Sequence, residues 1–198
     1  MPTIYFAYIF LAYLLGSIPF GVIVSKIWNI DIRRYGSGNI GATNVFRVLG
    51  IVPGAIVFIL DLLKGALAVY LGYWLGGDPL LILFLGVSAI FGHMYSIFLG
   101  FKGGKGAATG LGVLLGIAPE IFLISSIFAA SVIALTRYVS IGSITSAFLV
   151  VALMSLFHKP ISYTIASFLV AIFVLIRHLP NLKRLLQGTE PKIGKPTL

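Results

Sequence analysis

Long apolar runs alternate along this chain with short stretches crowded with glycine, amides and cations. The first run, residues 4–25, carries no charge and exceeds the roughly 20 residues a helix needs to cross a bilayer. Runs over 51–75 and 80–99 predict two more spans, parted by Gly76-Gly77-Asp78-Pro79, a turn sequence without a cation. Residues 107–137, read as one helix, would be about 46 Å long against a hydrocarbon core near 30 Å. A break at Ile117-Ala118-Pro119-Glu120 instead gives a short fourth span over 107–118 and a fifth ending at Arg137. The sixth and seventh spans are predicted over 141–157 and 161–176, parted by His158-Lys159-Pro160.

Composition agrees with this threading. The 198 residues are 59% hydrophobic and only 10% charged, too apolar for a core of this size to hide. The fold class expected is all-α, integral to the membrane, in one domain over residues 1–198. The N-terminus lacks the positive region of a cleaved signal peptide, so the first span is expected to be retained. With no cysteine, disulfides, thiol nucleophiles and thiolate metal sites are excluded.

Charge then sets the orientation. A net charge of +9 invites a nucleic-acid reading, but the cations sit in short loops beside apolar runs, which is the positive-inside pattern. Of the 14 Lys and Arg residues, 12 fall on one side if the chain breaks near Pro119; Lys159 lies opposite and Lys64 lies within a span. Without the break, Lys183, Arg184, Lys192 and Lys195 would land on the wrong side. The N-terminus is therefore expected outside and the C-terminus in the cytoplasm.

The same cation-bearing segments hold nearly all the capable chemistry. In Ser37-Gly38-Asn39-Ile40-Gly41-Ala42-Thr43-Asn44, glycines let backbone N–H groups turn towards an anion, and Ser37, Asn39, Thr43 and Asn44 extend the donor set. Arg47 adds a bidentate cation. A flexible turn-rich loop is the plain alternative. The second segment, Lys102-Gly103-Gly104-Lys105-Gly106 with Thr109 beyond, is not a Walker A sequence, since Gly106 follows Lys105. It still feeds a helix start, whose N–H groups and positive dipole end favour phosphate. Lys102 alone reads as a topology determinant, whereas Lys105 within Gly-Gly-Lys-Gly reads as a ligand.

In the third segment, Asn181 and Arg184 are spaced to share one face of a short helical extension. His178 is a general base, a phosphate donor or an interfacial histidine, and Glu190 is expected to pair with a cation. Asp61 and Lys64, three apart within the second span, are intramembrane charges that neutralise each other, so a structural role is expected. His93 is close enough in sequence to the second loop to orient it. Ser143, Thr145 and Ser146 either line the same cavity or bond their own helix. No His–carboxylate cluster has metal-ligand spacing and no Gly-x-Ser-x-Gly elbow occurs. Binding charge is plentiful, while acid–base groups are few.

The residues Gly16-Ser17-Ile18-Pro19-Phe20-Gly21, the run from Gly36 to Asn44, Asp61-Leu62-Leu63-Lys64-Gly65, His93 with the Lys105 loop, and the tail from Arg177 to Glu190 form an ordered set. The chain thereby resembles the bacterial acyl-phosphate:glycerol-3-phosphate acyltransferases over nearly its whole length. It departs from them at Tyr95-Ser96, where the family usually has an aromatic–proline pair, and at Ala107, commonly valine there.

The resemblance implies about seven spans in the bacterial inner membrane, with the conserved loops on the cytoplasmic side. It also implies acyl phosphate and glycerol 3-phosphate as substrates and lysophosphatidic acid as product, in the first acylation of phospholipid synthesis. The expected course is direct attack of the glycerol hydroxyl on the acyl carbonyl, with no covalent enzyme intermediate, no cofactor and no metal. Lys105, Arg47, Asn44, His178 and Asn181 are the expected catalytic group. Ser37, Gly38, Asn39, Gly41, Thr43, Gly103, Gly104, Gly106, Thr109, Ser143 and Arg184 are expected to bind substrate; Asp61, Lys64, His93 and Glu190 are expected to be structural. The attacking proton goes to His178 or to a substrate phosphate oxygen. Membrane lipid is an expected partner and nucleic acid is not; a monomer is entertained, although no pattern in the chain fixes oligomeric state. The rival reading is a transporter of an anionic phosphorylated solute, disfavoured because no internal duplication is visible and the polar groups gather at one end of the spans.

Overall fold

The computed structural model of the protein describes residues 3–193, so the tail cation Lys195 lies outside it. Among the described residues there are nine α-helices, two single 3-10 turns and no strand. The helices are α1 (Thr3–Ser17), α2 (Phe20–Ile27), α3 (Ala42–Leu49), α4 (Ile51–Trp74), α5 (Pro79–Met94), α6 (Ala107–Ile117), α7 (Pro119–Thr136), α8 (Val139–Leu156) and α9 (Ile161–Leu186). Six stretches are long and apolar enough to span a membrane, and α6 is a seventh, shorter apolar helix. The expected break before Pro119 is present, with Ala118 capping α7 and Pro119 in its first turn, where the missing N–H costs nothing.

Two boundaries differ from those expected. The first span is not one helix: α1 ends at Ser17 and α2 begins at Phe20. Pro19 has no N–H to continue the ladder and disfavours helical geometry at Ile18 before it. The last helix does not stop at 176 but continues through Pro180 to Leu186, carrying the tail cations on its final turns.

The helices form two compact units, one built on α1–α6 and one on α7–α9. In the first, α1 packs along α5 and α4 packs along α6 and α5. Its core holds Ala12, Ala68, Leu81, Leu85 and Ala89, with a second cluster of Val22, Val24, Ile32, Ile40, Val45 and Val57 under the loops. Small residues bring α4 and α6 into backbone contact. A methyl group on Gly65 would strike the Thr109 carbonyl, and one on Gly112 the Leu62 carbonyl. Close backbone approach at small residues is how helices associate where lipid is the solvent. In the second unit α8 packs between α7 and α9. Ile121, Met154, Ala171 and Val174 are among its buried side chains, while residues such as Leu123, Leu135 and Leu169 face outward.

Candidate functional site

The helix break at Ile18–Pro19 shapes the first unit. It leaves two carbonyls without helical partners, and buried polar groups at such places need a replacement. The Ser17 carbonyl accepts from Ser96 Oγ at 2.6 Å, and the Ile18 carbonyl accepts from Lys64 Nζ at 3.1 Å. Ser96 is half of the pair that departs from the usual aromatic–proline. Its hydroxyl ties the chain end of α5 to α1, and its carbonyl accepts from Phe101 N at 2.8 Å. Tyr13 adds a parallel tie, donating its hydroxyl to the Tyr95 carbonyl at 2.7 Å.

Lys64 is the centre of a buried cluster. Its ammonium lies 2.8 Å from Asp61 Oδ1, 2.9 Å from His93 Nδ1 and 5.7 Å from the centre of the Phe20 ring. All three charged or titratable side chains are at most 4% exposed. His93 Nδ1 also comes within 3.5 Å of Asp61 Oδ1. The Asp61–Lys64 pair follows from i, i+3 spacing, but the inclusion of His93 and the Ile18 carbonyl was not legible in the sequence.

The cluster reaches the second glycine loop through His93. Gly104 N donates to the His93 carbonyl at 2.9 Å, and Gly103 N to the Met94 carbonyl at 3.1 Å. A Cβ on Gly104 would collide with the His93 ring, and one on Gly103 with the His93 carbonyl. These two positions are glycine because the loop backbone lies flat on the end of α5. Gly106 holds φ +82°, a left-handed conformation that favours glycine, and turns the chain into α6. Lys105 is half-buried between these glycines and Thr109 is fully buried on the first turn of α6.

The first glycine loop is organised by Asn44. Its Nδ2 donates to the carbonyls of Asn39 at 2.9 Å, Tyr35 at 3.0 Å and Ile32 at 3.3 Å, while its Oδ1 accepts from Ser37 N at 2.8 Å. One buried amide thus gathers the whole loop from Ile32 to Asn39. Asn39 in turn accepts from Gly41 N at 2.8 Å, and Gly41 caps α3. Gly36 and Gly38 hold φ +59° and +69°, and a side chain on Gly36 would press on Asn44 Oδ1. Ser37 and Gly38 are exposed at the loop tip; Thr43 and Arg47 are half-buried on α3. Beside the loop, Arg33 clasps Asp31 through two bonds of 2.8 and 2.9 Å, and this guanidinium holds the Asp31 carboxyl down to about 2.

In the second unit the tail folds back on its own helices. Glu190 is buried and accepts from Ser140 Oγ at 3.0 Å, Asn181 Nδ2 at 2.6 Å and Arg184 Nε at 2.8 Å. The spacing of Asn181 and Arg184 does place both on one face, and that face serves Glu190. Further along, Ile193 N donates to the Arg137 carbonyl at 2.8 Å, and the Arg137 guanidinium donates back to the Ile193 carbonyl. His178 is buried with Nδ1 2.8 Å from the Val174 carbonyl. A carbonyl only accepts, so Nδ1 donates this bond. Thr145 and Ser146 bond carbonyls of their own helix. Ser143 is half-buried on α8, one turn from Ser140, the serine that sequence reasoning passed over.

Comparison with known proteins gives a consistent answer. Residues 6–188 match the family model described as glycerol-3-phosphate acyltransferase. The chain is 46% identical over 185 residues to glycerol-3-phosphate acyltransferase 2 of Moorella thermoacetica, covering 93% of this chain and 95% of that one. It is 47% identical over 187 residues to the glycerol-3-phosphate acyltransferase of Geobacillus kaustophilus, covering 94% of each. Among solved structures it is similar to PlsY (YgiH), an integral membrane glycerol 3-phosphate acyltransferase, in its glycerol 3-phosphate form. That likeness has a TM-score of 0.91 at 39% identity over 96% of both chains. The lysophosphatidic acid form of PlsY (YgiH) gives 0.89 at 38% identity, over 96% of this chain and 95% of that one.

Proposed function

The chain belongs to the glycerol-3-phosphate acyltransferase family and is a multi-pass membrane acyltransferase acting on glycerol 3-phosphate, and from that premise we propose that its acyl donor is an acyl phosphate. The products are then lysophosphatidic acid and inorganic phosphate. The glycerol hydroxyl oxygen bonds to the acyl carbon, the carbon–oxygen bond to phosphate breaks, and the phosphate leaves with the bonding pair. Phosphate is already a good leaving group, so no covalent enzyme intermediate is needed. What such a reaction asks of the protein is positioning and charge stabilisation.

The observation that carries this reading is the second glycine loop, seated on the carbonyls of His93 and Met94 and leading into α6. Two phosphates repel strongly at low dielectric, so cations must accompany them. Lys105 is assigned as the principal phosphate and oxyanion partner, with Arg47, Thr109 and the N–H group of Gly106 as further partners, while Gly103 and Gly104 hold the loop on the end of α5. Ser37, Gly38, Asn39, Gly41 and Thr43 form the other binding loop, which Asn44 holds in shape. In the tail, Asn181 and Arg184 act through Glu190, and His178 is the candidate general base. Residues 1–198 constitute one membrane-embedded acyltransferase domain, with the N-terminus outside and the cation-bearing loops on the cytoplasmic face of the bacterial inner membrane.

Mixing purified protein with acyl phosphate and glycerol 3-phosphate, without coenzyme A, is expected to release one phosphate per lysophosphatidic acid. Turnover with an acyl thioester and none with acyl phosphate would overturn the donor. The proton acceptor is decided by pH: a pH–rate profile that keeps its shape in His178→Gln, reduced only in height, assigns the proton to a substrate phosphate oxygen.

A further inference from the structure

The two ends of the first unit differ in a way that the acyl-transfer reading does not require. The turn in which α4 leads into α5 carries no Lys or Arg, since none occurs between Lys64 and Lys102. The charge in that turn, Asp78, accepts from Leu80 N at 2.9 Å. Trp74 stands at that end, 74% exposed. The other end carries the glycine loops and a rim of cations, namely Lys26, Arg33, Arg34 and Lys102, answered by the single carboxylate of Asp31. Asp31 is engaged with Arg33; Arg34 reaches it only at 3.7 Å, and its side chain is 82% exposed.

Large apolar side chains stand exposed in the same rim. Trp28 and Ile27 close α2; Phe98 and Phe101 lie in the turn after α5. That turn is tied to the rim of α2 and α3, because Leu99 packs on the cluster holding Val24, Ile32 and Val45. Phe101 holds φ +63°, uncommon for a bulky residue, yet its backbone is fixed by the bond to Ser96 and its ring is presented outward. Exposed aromatics beside exposed cations at the end of apolar spans have the chemistry of the bilayer interface, where rings sit at headgroup level. The surplus of positive charge selects among headgroups, since basic residues beside a span attract anionic lipid.

We propose that this end of the first unit is a docking surface for anionic phospholipid headgroups, with Arg34, Lys26 and Lys102 on the lipid phosphates and Trp28, Phe98 and Phe101 in the interfacial layer. The inference does not depend on the identity of the acyl donor. Trp28 and Trp74 stand at opposite ends of one unit and are the only tryptophans in the chain, which provides an internal control. Single-tryptophan proteins, Trp74→Phe and Trp28→Phe, are placed in phosphatidylcholine nanodiscs. These contain equal small fractions of brominated-chain phosphatidylglycerol or brominated-chain phosphatidylcholine. Trp28 fluorescence is expected to report phosphatidylglycerol enriched about five-fold or more near it, and Trp74 none. The preference at Trp28 should vanish in Lys26→Gln/Arg34→Gln/Lys102→Gln, and at about 1 M salt, where screening is short-ranged. Equal quenching by the two lipids at Trp28 would overturn the proposal, as would a preference that survives both treatments. If the triple variant fails to fold, the salt titration on the Trp74→Phe protein decides alone.

Discussion

Asp61 and Glu190 are both buried carboxylates surrounded by donors, but they are neutralised by different routes. Asp61 meets Lys64 three residues along the same helix, so the pair is made by α4 itself; the Ile18 carbonyl and His93 are then added by neighbours. Glu190 has no such local partner. It draws Asn181 and Arg184 from α9 and Ser140 from α8, and all three bonds exist only while the tail is folded back. The first cluster stands under a loop and holds a backbone in place; the second holds the segment that follows α9. A charge paired within its own helix can be left in the apolar interior, whereas a carboxylate that also takes a hydroxyl donor from 50 positions away, as Glu190 does from Ser140, depends on the whole unit being formed.

The sharpest way to break that comparison is to remove one member of the local pair. Lys64→Met should cost about 3–5 kcal/mol, because an uncompensated carboxylate is left buried. Thermal unfolding in detergent should show it, and Asp61→Asn/Lys64→Met should recover part of the loss. Asp61→Ala likewise should lower yield and thermal stability; normal expression with lost turnover would refute its structural role. Lys105 is half-buried in the glycine loop that leads into α6, and Lys105→Ala should fold yet lose about 10²-fold or more in turnover. More than about a tenth of the activity remaining would break the assignment. Glu190→Gln keeps the shape but not the charge on Arg184, and should cost about 1–3 kcal/mol, read as faster proteolysis of the tail. Ser140→Ala removes one neutral donor and should cost about 1 kcal/mol.

The smallest effect is at Asp31. Its carboxyl is held from the ordinary 3.8 down to about 2 by Arg33, so the clasp contributes above the ordinary value and is lost as pH falls towards 2. The site is exposed, so a carboxyl titration by NMR, not a melting temperature, is the measurement.

Apolar run lengths and the positive-inside count determined which stretches are helices, the break before Pro119 and the grouping of polar residues into three segments, because each depends on chain length, charge and local stereochemistry. Proline at 19 stood in the sequence as a helix breaker, yet the first span reads as continuous because its apolar run is unbroken. The carbonyls set free there found partners in Lys64, 46 positions away, and Ser96, 79 positions from Ser17. Asn44 reads as a donor for substrate; its hydrogen bonds show an amide that shapes a loop. His93 joined the Asp61–Lys64 pair only because α5 packs on α4. Ser140, not Ser143, met Glu190 only because the tail turned back on α8. Helix formation is decided within a few residues, but the partner of a buried polar group is decided by which distant segment packing brings within about 3 Å.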